Sequence, residues 1–352
     1  MKTGKTILAL LVSFMVLSAC SKTAVTAGST SANNSNNGND STVVTDTITI
    51  VSTPNPNIFP LLLALADNPS LKVKIIPVSD GSGLTSNLIS GAADGMTSMS
   101  YIAAKQVTDN KVPDLQIRSV VYWSGFYEIA KPTVSSFNDL LGKHLIISGP
   151  VGNGKNGGPD IIFRAAMKRL NINPDTDFQL EYLPLADGVN KISNQQADAI
   201  LLAEPAGTGL VLSNMMNMNR LSKAINLQSI FTGYTQWDAN IMPVGGLSFK
   251  NSSLTGVGKK NTFDAMKTLY EQKAVQIMNG DINDAQKIAD MFNALFGNVL
   301  PQTLPAQIIV TGVKTGSLVY KNNYSVPAIQ SDLDKWIVEL LGTSPGSNFY
   351  SN

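Results

Sequence analysis

The stretch Ser148–Asp160, SGPVGNGKNGGPD, holds the densest set of residues able to do chemistry in this 352-residue chain. It follows His144–Ile147, an apolar run that reads as a buried strand, and precedes Ile161–Leu170, whose apolar residues recur at helical spacing. Pro159 suits the first turn of that helix, where its missing N–H has no partner to lose. A strand, a glycine-rich loop and a helix N-terminus in succession can aim backbone N–H groups at one point, and the helix dipole favours negative charge there. Gly149, Gly152, Asn153 and Gly154 are the candidate backbone donors, and Lys155 adds a positive charge. The spacing is not G-x-G-x-x-G, and Lys155-Asn156 replaces the Lys-Ser/Thr of a nucleotide P-loop. A long surface turn is the other reading of the same residues.

Three further sets of groups are candidates for the same site. Thr53, Asn55, Ser82, Gly83, Ser98 and Ser100 offer hydroxyl, amide and backbone donors. Tyr122, Trp123, Tyr234 and Trp237 combine flat apolar faces with polar edges, which suits a ring or a cation, although core packing uses the same residues. Glu204 follows an apolar strand and either meets a ligand or caps the next helix. Catalysis is harder to assemble. His144 is the sole histidine and Cys20 the sole cysteine, so the usual zinc, haem and Cys/His arrangements have no ligand set and no intramolecular disulfide can form. No catalytic residue, metal or cofactor is expected, and a formal net charge of +1 gives no electrostatic reason to expect nucleic acid.

The elements that must position these groups alternate. Strands are predicted at Thr47–Thr53, Val73–Val78 and Gly95–Ser98, with helices at Ile58–Ala66, from Gly81 to near Ser90, and at Tyr101–Val107. A second round has strands at His144–Ile147, Leu180–Leu183 and Ala199–Leu202 and helices at Asp160–Leu170, Val189–Gln195 and Ala206–Met215. Ile117–Tyr122 and Phe126–Ala130 read as extended; Thr262–Met278, Asp284–Leu295 and Val326–Leu341 read as helices. Such alternation implies parallel sheets with right-handed crossovers, and ligands then bind beyond the carboxyl ends of the strands. The donor loops Thr53–Asn55, Asp80–Gly83 and Ser98–Ser100 all fall at such ends.

The chain starts with Lys2 and Lys5 ahead of an apolar run, Ile7–Leu17, that is short for a membrane span. Leu17-Ser18-Ala19-Cys20 resembles a bacterial lipobox, which implies cleavage before Cys20 and a lipid on its sulfur. Ser21–Asp46 is rich in Ser, Thr, Asn and Gly and reads as a flexible tether. The body of about 300 residues is comfortable for two lobes.

Short patterns then point to a family. Ser90-Gly91-Ala92-Ala93-Asp94-Gly95-Met96 precedes the third strand, Asp139-Leu140-Leu141-Gly142-Lys143-His144-Leu145-Ile146 opens the second round, and Asp198-Ala199-Ile200 with Glu204-Pro205 closes it. In this order the chain resembles the type II periplasmic substrate-binding proteins of ABC importers, nearest to the nitrate, sulfonate, taurine and thiamine-precursor receptors. The resemblance implies an α/β, two-lobed periplasmic-binding-protein-like fold of mixed sheets flanked by helices, with a ligand cleft between lobes. It implies a signal peptide over 1–19, a lipidated tether over 20–46, a first lobe from 47–131 and 242–352, and a second lobe over 132–241. The lobe crossings are expected near Glu128–Pro132 and Met242–Gly246.

On this reading the protein is an extracytoplasmic, lipid-anchored monomer. It hands a small solute to the importer's membrane subunits and is not an enzyme. Arg118, Arg164, Arg169 and Arg220 are the only arginines and none is placed as a carboxylate clamp, which argues against an α-amino acid ligand. A sulfonate-like oxyanion and a nitrogen heterocycle both remain open. Two other classes compete: an enzyme on the same fold, such as a menaquinone-pathway dehydratase, and a surface lipoprotein that binds a partner protein.

Overall fold

The computed structural model describes residues 45–149, 154–215, 220–300 and 303–351. Cys20, the leader and most of the tether lie outside the described residues, as do Gly152 and Asn153. Two mixed sheets carry the architecture.

The first round follows the predicted alternation closely. Strand β1 (Ile48–Ser52) leads through a short 3-10 turn at Pro56–Ile58 into α1 (Phe59–Asp67). Then come β2 (Val73–Pro77), α2 (Gly81–Ile89), β3 (Gly95–Met99), α3 (Ser100–Thr108) and β4 (Leu115–Ser124). β1 pairs in parallel with β2 and β3, as βαβ connections require. α1 reads FPLLLALAD, and its first six residues are all buried, so it is a core helix.

The chain then leaves for the second sheet. β5 (Phe126–Ala130) is followed by β6 (His144–Gly149), α4 (Gly158–Arg169), α5 (Pro174–Asp177), β7 (Gln179–Pro184), α6 (Leu185–Ser193), β8 (Ala199–Ala203), α7 (Ala206–Asn214) and β9 (Ser222–Asn226). Strand order is β7-β6-β8-β5-β9, with β6 parallel to β7 and β8, and β5 antiparallel to β8 and β9. The crossing therefore falls at Gly125, between β4 and β5, and not at the expected Glu128–Pro132. Every residue of β5 is buried, so its FYEIA sequence would look the same in either sheet.

The remainder is β10 (Gly245–Lys250), α8 (Val257–Ile277), α9 (Ile282–Phe296), α10 (Ala306–Lys314), β11 (Val319–Tyr320) and α11 (Val326–Leu341). β10 lies between β3 and β4 and is antiparallel to both, giving the first sheet the order β11-β4-β10-β3-β1-β2. α11 ends at Gly342, whose φ of 76° is the left-handed stop a glycine supplies at a helix end. It packs against both α3 and α4, and so spans the junction of the two sheets. Among the described residues no helix is long and apolar enough to cross a membrane.

Candidate functional site

At the carboxyl ends of β1 and β3 the candidate donors are already engaged. Asn55 Oδ1 accepts from the N–H of Asn57 (2.9 Å), while its Nδ2 donates to the carbonyl (2.9 Å) and hydroxyl (3.1 Å) oxygens of Thr53. These bonds shape the turn after β1. Ser98 Oγ donates to the Met99 carbonyl (3.2 Å). Ser100 Oγ donates to the carbonyl of Pro243 (2.5 Å), which ties α3 to the returning chain.

The loop before α2 is closed in the same way. Asp80 caps that helix, its Oδ1 accepting from the Ser82 N–H (2.9 Å), the Ser82 hydroxyl (2.6 Å) and the Gly83 N–H (3.0 Å). The Ser82 hydroxyl bond, with the Gly83 N–H, holds the Asp80 carboxyl below the usual carboxylate range. Ser82 and Gly83 thus serve a carboxylate of the chain itself. The sequence expectation that they are free for a ligand did not weigh Asp80 as their acceptor.

On the second sheet, Gly149 ends β6, and the described chain resumes at Gly154, whose carbonyl accepts from the Gly157 N–H (3.0 Å). Gly157 is the N-cap of α4 and Pro159 lies in its first turn. The Asp160 carboxylate, wholly buried, accepts from the Asn156 N–H (2.7 Å), the Tyr182 hydroxyl (3.0 Å) and Arg164 Nε (2.9 Å). Lys155 turns away: its ammonium lies 3.3 Å from Asp175 and its side chain is 57% exposed. It adds no free charge at the start of α4. Tyr101, on α3, donates its hydroxyl to the carbonyl of Gly158 (2.7 Å), so a first-sheet helix meets the start of a second-sheet helix.

Glu204 follows β8 and is 2% exposed. Its carboxylate accepts from the N–H of Thr208 (3.1 Å) in the first turn of α7 and is ion-paired to Lys223 on β9. Lys223 also donates to Thr208 Oγ1 and to Ser317 Oγ, each at 2.6 Å, and lies 5.0 Å from the ring centre of Tyr127. Of the two roles open to Glu204, the helix cap is the one its contacts display. Ser317 precedes β11, so this buried network joins the second sheet to the first.

The aromatic candidates converge, but inward. Trp237 stacks on Tyr234 with ring centres 4.9 Å apart and lies 5.8 Å from Trp123, which in turn lies 4.6 Å from Tyr324. Trp123 is 0% and Trp237 6% exposed, so both pack in the core here. Asp332 of α11 fixes the Trp237 segment by accepting from the N–H groups of Thr235 (2.6 Å) and Gln236 (2.9 Å). Burial raises the Asp332 carboxyl, but Lys335 and those two N–H groups outweigh it and hold the pKa at about 2.

No protein-family model matches the sequence, and no curated protein does. Solved structures do match. An ABC transporter protein from Parabacteroides distasonis is 14% identical, with a TM-score of 0.61, over 87% of this chain and 99% of that one. The alkanesulfonate-binding protein SsuA from Xanthomonas axonopodis pv. citri, bound to MOPS, is 12% identical with a TM-score of 0.57, covering 85% and 95% of the two chains. The periplasmic nitrate-binding protein NrtA from Synechocystis is 13% identical with a TM-score of 0.57, covering 84% and 80%. The chain has the periplasmic-binding-protein fold.

Within this periplasmic-binding-protein fold, the structure adds residues that the sequence did not single out. Asn57 lies in the PNPN run, which reads simply as a turn. Tyr101 opens a helix and looks like any core aromatic until its partner Gly158 is known. Glu128 sits in the middle of β5, fully buried, with neither carboxyl oxygen hydrogen-bonded among the described residues, and burial pushes its carboxyl well above the usual range. The FYEIA sequence does not reveal that all five residues of its strand are buried. His144 is held between the Gln196 carbonyl and Glu181, each at 2.9 Å, which accounts for it as a structural residue.

Proposed function

We propose that the protein is an extracytoplasmic solute receptor of an ABC importer, tethered to a membrane by a lipid on Cys20. The observation that carries this reading is the pair of mixed sheets, linked by crossing strands, whose facing helices α3 and α4 meet at Tyr101 and Gly158. Such a pair can hinge about its crossings and enclose a solute between strand ends. The similarity to importer ligand-binding components supports the same reading. Residues 1–19 act as the signal peptide and 20–46 as the tether; the lobes divide at Gly125 and near Met242.

The solute is small and organic, with a ring or alkyl body and a polar head. Its contacts come from the glycine loop, including Gly149, Gly152, Asn153 and Gly154, and from the backbone around Thr53 and Ser98. The function requires binding and closure only, and no bond in the solute is broken.

The test is a thermal-shift screen of the purified protein against a panel of sulfonates, inorganic oxyanions, amides and nitrogen heterocycles. A solute at a hundred times its Kd stabilises the folded state by about 2.7 kcal/mol. A panel in which nothing raises the melting temperature, and in which a partner protein does, would replace the receptor reading with that of a partner-binding lipoprotein.

A further inference from the structure

Asn57 is 0% exposed, and among the described residues neither its side-chain oxygen nor its nitrogen has a hydrogen-bond partner. Its backbone is fully committed: the N–H donates to Asn55 Oδ1 (2.9 Å) and the carbonyl accepts from the Tyr270 hydroxyl (2.8 Å). The turn is therefore held without the side chain. The amide lies where β3 ends and β10 begins: a Cβ placed on Gly245 would fall 2.5 Å from Asn57 Oδ1 and 2.2 Å from the Ser98 carbonyl oxygen. Tyr122, the partner of Gly245 on β4, also carries a buried hydroxyl with no hydrogen-bond partner among the described residues. That hydroxyl points at Gly125, where a Cβ would lie 1.5 Å from it. Two unpartnered polar groups thus flank the two places where the chain passes between the sheets. Buried polar groups are almost always hydrogen-bonded, and an unmade bond is costly.

The charges of the candidate site are already matched, which disfavours an anion. Asp80, the N-cap of α2, takes the Ser82 and Gly83 N–H groups, and Asp160, in the first turn of α4, takes the Asn156 N–H. Four cations are paired with carboxylates: Lys155 with Asp175, Arg164 with Asp160 and Asp175, Arg169 with Glu339, and Lys223 with Glu204. We propose that the solute is uncharged and presents a carboxamide or lactam edge, which Asn57 reads with its own amide, one N–H given and one received. This deepens the receptor reading and rests on it. Asn57 is a specificity-determining residue: a sulfonate or nitrate offers acceptors only and would leave the Asn57 oxygen unpaired.

The experiment uses the purified full chain with four probes, nicotinamide and uracil as amide and lactam edges, and methanesulfonate and sulfate as acceptor-only anionic controls. Binding is read by calorimetry and by melting temperature. Nicotinamide or uracil is expected to bind, with methanesulfonate and sulfate at least tenfold weaker. Asn57→Leu is expected to lose at least tenfold in affinity for the bound probe, while its ligand-free melting temperature stays at or above that of the parent, because leucine removes an unpartnered amide. Asn57→Ala removes both the donor and the acceptor without adding bulk, and is expected to lose affinity likewise; it serves if the leucine variant does not fold. Tight binding of methanesulfonate or sulfate, or of any solute with Asn57 variants unaffected, overturns the amide proposal and leaves the receptor reading standing. A failure of all four probes overturns the amide proposal, and failure of the wider solute panel as well overturns the receptor reading with it.

Discussion

At the scale of single residues, Glu128 makes the sharpest statement about stability. Its carboxyl is pushed upward by burial alone, with no partner to offset it. The unfolded chain ionises this group near its ordinary pKa of about 4.3, while the folded chain keeps the proton to higher pH. Stability therefore falls as pH rises from about 4.3 toward the folded-state value, since the unfolded state there binds fewer protons. Glu128→Leu is expected to remove this slope and to stabilise the protein by about 1–3 kcal/mol at pH 8, with a smaller gain at pH 4.5. Urea unfolding at the two pH values measures it; an equal effect at both would mean that ionisation is not what burial opposes. Residue types at the site were legible in the sequence, whereas their partners were only sometimes so. The Asp80-Gly81-Ser82-Gly83 run is a local N-cap signature, so its internal use of the Ser82 and Gly83 donors was there to be read. The bond from Tyr101 to Gly158 joins residues 57 apart in sequence, and no local pattern encodes it.

At the scale of elements, the start of α4 is where a second-sheet helix meets the first-sheet helix α3. A Cβ on Gly158 would lie 3.2 Å from both Met99 Sδ and the Tyr101 hydroxyl. Gly158→Val is expected to keep the secondary structure, because the first turn of a helix accepts valine, but to push α3 and α4 apart. Small-angle scattering should then give a larger radius of gyration for the ligand-free variant, and affinity for the solute should drop at least tenfold. An unchanged radius together with unchanged affinity would show that the contact does not govern closure. Hydrophobic period placed most of the strands and helices because α1, β6, β8 and α11 each carry an unambiguous apolar pattern. It missed β9, whose sequence SKAIN is only partly buried, and β11, which has two residues. It also missed β10, whose opening Gly245-Gly246 has the composition of a loop; glycine is needed there because β10 passes so close to β3 and β4 that side chains would strike the Ser98 and Ser119 carbonyls.

At the scale of the whole molecule, the proposed anchor makes one clear prediction. Cys20→Ser should leave the body folded and move it from the membrane pellet to the soluble fraction, since among the described residues no helix can span a bilayer. Full retention of the variant in high-salt-washed membranes, once its signal segment has been removed, would take the lipid out of the account. The two-sheet plan was legible because two rounds of strand–helix alternation recur along the chain; the point of division was not, because a strand buried on both faces carries no mark of which sheet it joins. One consequence of that plan concerns time. β10 is wedged between β3 and β4 but starts about 150 residues after the one and about 130 after the other, so the first sheet stays split while the second is made. The second sheet has all five of its strands by Asn226 and lies as one uninterrupted stretch between the halves of the first. A nascent chain can thus complete its inner sheet while the outer one still lacks its central strand. That order postpones the joining of β3 to β4 until Gly245–Lys250 has been made, after every strand of the second sheet.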